Sequence, residues 1–317
     1  MTIIKWIVSD IPDQHGKCVI ITGANSGIGY QAALAMAGKG AEVVLAVRNL
    51  EKGGQAVAKI CRAHPDARIE PMLLDLADLS SVHRFAETLA QRHSTLAMLI
   101  NNAGVMGIPY RQTVDGFEMQ FGTNHLGHYA LTGLLLPLLA ATPQARVVTV
   151  SSMMHRFGSI NFDDLNGAKK YNPWVAYSQS KLANLLFAYE LQRRLANADI
   201  NAISVGCHPG YAATNLQFVA AQMNHSRLQE LQNRVANTLF AQSAAMGALP
   251  TLYAATASGI TGGQFIGPLG LGKMRGYPGV DRSSARSYDI VTARKLWSVS
   301  EELTGIRYDG LAKSMPS

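Results

Sequence analysis

"TGANSGIG" at residues 22–29 closes the apolar run "CVIIT" (18–22) and opens a helical pattern. Its three glycines decide how the chain is read. Gly23, Gly27 and Gly29 have no Cβ, so the backbone there can turn tightly, approach a pyrophosphate and pack helix against strand. A phosphate at such a turn meets the free N–H groups of the following helix. A glycine-rich turn alone is only moderately specific. Opening a strand–helix–strand unit at the head of an alternating chain, it points to a dinucleotide site.

Outward from this turn, short apolar runs alternate with helical patterns. "EVVLAV" (42–47), "IEPMLL" (69–74), "LAMLIN" (96–101), "RVVTVS" (146–151) and "INAISV" (200–205) read as strands, and 28–38, 51–62, 79–92, 117–140 and 174–196 as helices. Strict alternation predicts an α/β fold, a single doubly wound Rossmann domain whose parallel sheet is flanked by helices. The strands are continuously apolar, as expected of strands buried on both faces. After Cys207 the rhythm changes: 208–225 is loop-like, 227–257 helical, "GGQFIG" (262–267) a last strand and 284–303 a last helix. With no linker or internal repeat, the expectation is one domain over 1–317. Its cofactor-binding core spans about 16–207, and the substrate lid and C-terminal embellishment about 208–317.

Composition excludes several classes. The chain has 317 residues, 48% hydrophobic and 15% charged, with 29 Gly, which suits a compact enzyme and not a disordered or coiled-coil protein. Cys18, Cys61 and Cys207 show no CxxC spacing and an odd count, so reduced thiols in a cytoplasm are expected instead of a disulfide scaffold, and no metal site. Net charge is +7 and the pI about 9.3, yet no Lys/Arg run or aromatic-interleaved basic motif suggests nucleic acid. The excess lies late, at Lys273, Arg275, Arg282, Arg286, Arg294 and Lys295 against Asp281 and Asp289, and reads as a solvated basic face. The uncharged stretch 125–145 is broken by His, Thr, Gly, Pro and Gln, and the N-terminus is too soon charged for a signal peptide, so no membrane span is expected.

Two positions refine the cofactor and the chemistry. The second strand ends Val47–Arg48–Asn49, where an acidic residue would accept hydrogen bonds from a ribose 2′-OH. A guanidinium at Arg48 suits a 2′-phosphate instead, which predicts NADP(H) in preference to NAD(H). In "AYSQSK" (176–181), Tyr177 and Lys181 stand four apart on a helix, so the ammonium could lower the phenol's pKa from about 10 toward neutrality. Such a tyrosine can pass a proton to or from an alcohol oxygen.

From about residue 16 to 214 the chain resembles the short-chain dehydrogenase/reductases. The glycine pattern is "TGANSGIG"; the adenine-contacting acid matches Asp75 in "LLDLAD"; "NNAG" (101–104) follows a strand; and Asn124 stands in "TNHLGH". Ser152 in "VSSMMH", the Tyr177/Lys181 pair, and Pro209, Gly210 and Thr214 in "HPGYAAT" complete the order. "DGFEMQFGTNHLGHYALTGLLLP" and "AYSQSKLANLLFAYELQRRL" are similar to the retinol dehydrogenase-like branch, although the N-terminal anchor of its vertebrate members is not expected here.

The resemblance implies a mechanism and a cofactor shell. Tyr177 would be the proton donor or base, Lys181 its tuning cation and a ribose contact, Ser152 a donor to the substrate oxygen, and Asn124 the holder of a water beside Lys181. Thr22, Gly23, Asn25, Ser26, Gly27, Ile28, Gly29, Arg48, Asn49, Asp75, Leu76, Asn102, Ala103, Gly104, Pro209, Gly210 and Thr214, with Tyr177 and Lys181, would contact the cofactor. The substrate would be a small apolar carbonyl or alcohol. A protochlorophyllide-reductase-like enzyme shares the "TNHLGH" region but usually has Thr in place of Ser152. A non-catalytic, cofactor-sensing scaffold would be expected to lose part of the Asn/Ser/Tyr/Lys set, which is complete here.

Other residues read as structural. His125 and His128 lack a third ligand and suit helix packing or capping; His155 follows the serine closely and suits a pocket wall, with no hydrolase elbow; Cys207 reads as a buried hydrophobe. Met106, Met153, Met154, Met223 and Met246 suit an apolar pocket floor or core. The uncharged 126–139 and the helix 174–196 predict a homodimer or homotetramer. Leu216, Phe218, Val219 and Met223 predict an apolar lid that orders over the bound substrate.

Overall fold

The computed structural model describes residues 5–212 and 242–311. Eight strands form one sheet in the order β3-β2-β1-β4-β5-β6-β7-β8. They are β1 (Cys18–Thr22), β2 (Glu42–Val47), β3 (Arg68–Leu73), β4 (Met98–Asn101), β5 (Ala145–Val150), β6 (Ala202–Cys207), β7 (Phe265–Pro268) and β8 (Pro278–Asp281). Pairing is parallel from β3 through β7, and only β8 runs antiparallel, on β7. The order reverses between β1 and β4, the place where a doubly wound sheet opens a crevice at the carboxyl ends of its strands.

Side chains of β1 show how the layers form. Val19 and Ile21 enter one core, Cys18 and Ile20 the other, following the two-residue period of a strand. The first core lies under α1 (Gly27–Ala37) and α2 (Leu50–Ala63) and includes Ala248 and Leu252. The second lies under α3 (Leu79–Arg92) and holds Tyr129, Phe187 and Trp297.

Helix starts follow local chemistry. Asn49 accepts from Lys52 N and caps α2, and Asp78 accepts from Ser80 N and caps α3. The region 117–140, expected as one helix, is divided into α4 (Met119–Phe121), a π-helical turn (Gly122–Leu126), α5 (Gly127–Leu134) and α6 (Leu136–Ala140). Pro137, which has no N–H to give, stands in the first turn of the last piece. α7 (Pro173–Asn197) starts with Pro173 after an Asn172 cap, α8 spans Ala244–Thr256, and α9 spans Ile290–Thr304.

The association surface expected from 126–139 and α7 is consumed within the chain. Residues 177–191 of α7 are all buried, as are 127–133 of α5. α9 covers them: Trp297 stacks on Phe187 with ring centroids 5.9 Å apart and meets Tyr129 edge-on at 5.2 Å. Beyond α9, Tyr308 Oη donates to Tyr129 O at 2.6 Å. The expected lid residues Leu216, Phe218, Val219 and Met223 lie outside the described residues, and so does Thr214.

Candidate active site

The turn after β1 is shaped by its glycines. Gly23 and Gly27 have φ of 66° and 58°, in the left-handed region. A Cβ on Gly29 would stand 2.6 Å from the Gly23 carbonyl oxygen, so the third glycine is forced by close packing. α1 then starts at Gly27 with no side-chain cap from Ser26 and no acidic residue in its first turn. Asn25 and Ile28 flank this turn half-buried, and Ser26 is exposed. The N–H groups at this helix start are thus left for an anion.

"NNAG" is sewn to the same turn. Thr22 Oγ1 accepts from Asn102 N and Ala103 N, each at 2.9 Å, and Asn102 Nδ2 donates to Thr22 O at 2.8 Å. His128 Nε2 lies 2.9 Å from Thr22 Oγ1, while its Nδ1 lies 3.0 Å from Asn124 O. The residue read as a packing histidine therefore joins the glycine turn to the Asn124 backbone. His125 does pack: its Nε2 lies 2.9 Å from Ser300 Oγ, and burial pushes its pKa down to about 3.

Asn124 sits in the π-helical turn with its carboxamide fully engaged. Oδ1 accepts from Val105 N at 2.8 Å, and Nδ2 donates to Val105 O and to Ser180 Oγ, both at 2.9 Å. Its side chain holds the loop after β4, and sequence reading missed both partners. A Cβ on Gly104 would stand 2.9 Å from Asn124 Oδ1 and 3.4 Å from Lys181 Nζ, which explains the glycine.

Tyr177 and Lys181 face the carboxyl ends of β5 and β6 from α7, both buried. Lys181 Nζ donates to Val150 O at 3.2 Å and lies 5.8 Å from the Tyr177 ring centroid. The expected lowering of the phenol's pKa is not what this environment produces. Burial pushes Tyr177 up to about 12, against a downward pull from the Ser152 hydroxyl, and burial pushes Lys181 down to about 8. Desolvation favours the neutral form of each group and decides the direction of both shifts.

Ser152 follows β5. Its Oγ accepts from Met154 N at 3.2 Å, so one lone pair is used and the O–H is free to donate elsewhere. Across the crevice, Arg48 is exposed and, among the described residues, has no hydrogen-bond or ion-pair partner. Asn49 Oδ1 is committed to capping α2. Asp75 Oδ1 accepts from Ala77 N at 2.9 Å, and Leu76 is buried with its carbonyl where a Cβ on Gly127 would clash at 2.4 Å. Gly210 has φ of 67°, and Gln242 Nε2 donates to Pro209 O at 2.7 Å, fixing the turn after β6. Among the described residues no three His, Cys, Asp or Glu side chains group as metal ligands, and no helix is long and apolar enough to cross a membrane.

Comparison with known proteins agrees with this architecture. Residues 17–225 match the short chain dehydrogenase family model. The chain is 39% identical to retinol dehydrogenase 14 of Mus musculus, covering 92% of this chain and 87% of that one. It is 41% identical to retinol dehydrogenase 12 of Homo sapiens, with 93% and 88% covered. Among solved structures, an uncharacterized protein from Mycobacterium paratuberculosis is 44% identical with a TM-score of 0.79, over 96% of this chain and 99% of that one. A short chain dehydrogenase from Shigella flexneri, complexed with NADP, shares the fold at 22% identity and a TM-score of 0.61, over 80% and 96%. The chain belongs to the short chain dehydrogenase family, a family of oxidoreductases. Within it, the relatives place the chain in the retinol dehydrogenase-like branch.

Proposed function

We propose that the protein is an NADP(H)-dependent alcohol dehydrogenase or carbonyl reductase that interconverts an apolar alcohol and its aldehyde or ketone. The observation that carries the reading is the buried Tyr177 and Lys181, one helical turn apart, with the Ser152 hydroxyl pulling the phenol's pKa down against burial. The residues fit a dinucleotide: an uncapped helix start, a Gly29 that admits no Cβ, and an exposed Arg48 with no neighbouring carboxylate on β2's end. Gly23, Asn25, Ser26, Gly27, Ile28 and Gly29 would hold its pyrophosphate, Arg48 its 2′-phosphate and Asp75 with Leu76 its adenine. Asn102, Ala103, Gly104, Pro209, Gly210 and Thr214 would border the ribose and nicotinamide. Bound, the nicotinamide supplies the hydride and, when oxidised, a positive ring that favours the phenolate.

The chain's own residues handle the proton. Burial keeps Tyr177 protonated, the state needed to protonate a carbonyl oxygen as it becomes an alkoxide. Ser152 O–H donates to that same oxygen and stabilises its developing charge. Lys181 has donors left beyond Val150 O for a ribose hydroxyl, and Asn124 holds the loop against which that ribose would rest. The retinol dehydrogenase relatives make a long apolar primary alcohol or its aldehyde the substrate class to try first. The free cysteines suit a reducing cytoplasm, and β7 and β8, which complete the motif-bearing sheet, suit one catalytic domain over 1–317. A homodimer or homotetramer would have to form on a surface other than the α9-covered one. A panel of aldehydes and ketones assayed by NADPH oxidation tests the reading; Tyr177→Phe should abolish turnover with cofactor affinity within about threefold. A Phe variant with wild-type kcat would overturn it.

A further inference from the structure

The segment after Ser152 contains an imidazole with both nitrogens in use. His155 is fully buried. Its Nδ1 lies 2.6 Å from the carbonyl oxygen of Ser152, and its Nε2 accepts from Ser284 N at 3.0 Å. Accepting an amide N–H fixes Nε2 as the bare nitrogen, so the proton is on Nδ1 and is given to Ser152 O. The same carbonyl accepts from His155 N at 3.0 Å, closing a turn around the serine. Burial pushes the His155 pKa down to about 4, which keeps this tautomer uncharged at neutral pH.

Ser284 belongs to a C-terminal segment that grips this region at more points. Arg156 Nη2 donates to Arg282 O and Arg286 Nη1 to Gly158 O, each at 2.9 Å. Phe265 of β7 packs edge-on against His155 at 5.4 Å and stacks on His208 at 5.1 Å. His208 sits just before Pro209–Gly210 and accepts from Gly210 N at 3.2 Å. Both sides of the crevice thus lean on Phe265 of β7.

We propose that His155 is a positioning residue that fixes the Ser152 backbone through Nδ1 while its Nε2 anchors it to the C-terminal segment at Ser284. The proposal rests on the reading of Ser152 as the donor to the substrate oxygen. Rotation of the Ser152 peptide would carry its hydroxyl away from the Tyr177 phenol, and an error near 1 Å there costs about a hundredfold in rate. A residue acting only as core filling would change stability without changing the chemistry of bound substrate.

The two nitrogens can be tested separately. His155→Gln places an amide near the Ser284 side and loses the Ser152 bond; His155→Asn places one near Nδ1 and loses the Ser284 bond. Gln should lower kcat by about tenfold or more with NADPH affinity held, while Asn should recover most of kcat. In a Ser152→Ala background, His155→Gln should have little further effect on kcat, because the group it positions is gone. Wild-type kcat in His155→Gln, or full additivity with Ser152→Ala, would overturn the proposal. Ser152→Ala alone reports on the underlying reading. Nitrogen NMR of the labelled imidazole reports on the positioning bond without turnover: an Nδ1–H tautomer from about pH 5 to about pH 8 is expected, and an Nε2–H tautomer would overturn it.

Discussion

Asn124 and Val105 exchange two hydrogen bonds, 2.8 Å into the carboxamide oxygen and 2.9 Å out of its nitrogen, so a side chain pairs with a peptide as a neighbouring strand would. This pairing holds the loop after β4 against the π-helical turn. Asn124→Ala leaves the half-buried Val105 N–H and C=O without their side-chain partner and should cost about 1–3 kcal/mol of stability, read by urea denaturation. Asn124→Asp keeps the acceptor and loses both donors, so it should rescue only part.

Cofactor choice should reside in Arg48. The wild type should prefer NADPH to NADH by about tenfold or more, about 1.4 kcal/mol, and Arg48→Ala should erase most of that preference. The ratio of kcat/KM for the two cofactors measures it; an unchanged ratio would assign the 2′-phosphate to another residue.

Lys181 should stabilise the protein less than an apolar residue of its size. Its folded pKa, about 8, lies below the ordinary 10.5, so between those values the unfolded chain binds more protons and stability rises with pH. Lys181→Met should therefore raise stability at pH 7 by about 1–3 kcal/mol while abolishing turnover. That advantage should shrink as pH climbs from about 8 to about 10. Denaturation curves across that range check the sign.

Asp281 works in the opposite direction. Burial alone would raise its carboxyl, but His208, Lys273 and the Arg282 N–H outweigh burial and hold it below the usual carboxylate range. Lys273 Nζ bonds Asp281 Oδ1, and His208 Nε2 lies 3.7 Å from Oδ2, too far for a hydrogen bond. Its stabilisation is present at neutral pH and is lost as pH falls through the acid range. Asp281→Asn should cost about 1–3 kcal/mol at pH 7, and the gap to wild type should narrow below about pH 4. Equal losses at both pH values would remove the charge from the account.

Trp297→Ala should be the costliest single change on α9, about 3–5 kcal/mol, because the ring meets Phe187, Tyr129 and Tyr308. It should also uncover the apolar faces of α5 and α7. Light scattering at micromolar concentration should then show association beyond that of the wild type.

The bounds of β1 and β2 were legible to the residue, because apolar runs between turn residues leave little freedom. β8 was not: "PGVD" has no apolar run, and its pairing comes from β7, 10 or more positions earlier. The 117–140 pattern showed helical character but not the π-helical turn, which is tied to bonds with Val105 and Ser180 far along the chain. Tyr177, Lys181, Ser152 and the glycines stood out because strand ends and helix spacing place them. The sign of the Tyr177 shift did not, since desolvation depends on packing that no spacing encodes. Ser284 reaches His155 across 129 positions, and nothing local announces such a bond.

The cover that α9 lays on α5 and α7 arrives late in time as well as in sequence. Phe187 leaves the ribosome long before Trp297, its stacking partner, about 110 residues downstream. At a synthesis rate of about 5–20 residues per second, the nascent chain carries that apolar face bare for roughly 5–20 s. Tyr308, which closes onto Tyr129, comes later still. The sheet can pair while synthesis continues, but the layer over α7 cannot form until the last helix emerges. During that interval the chain is most in need of a chaperone.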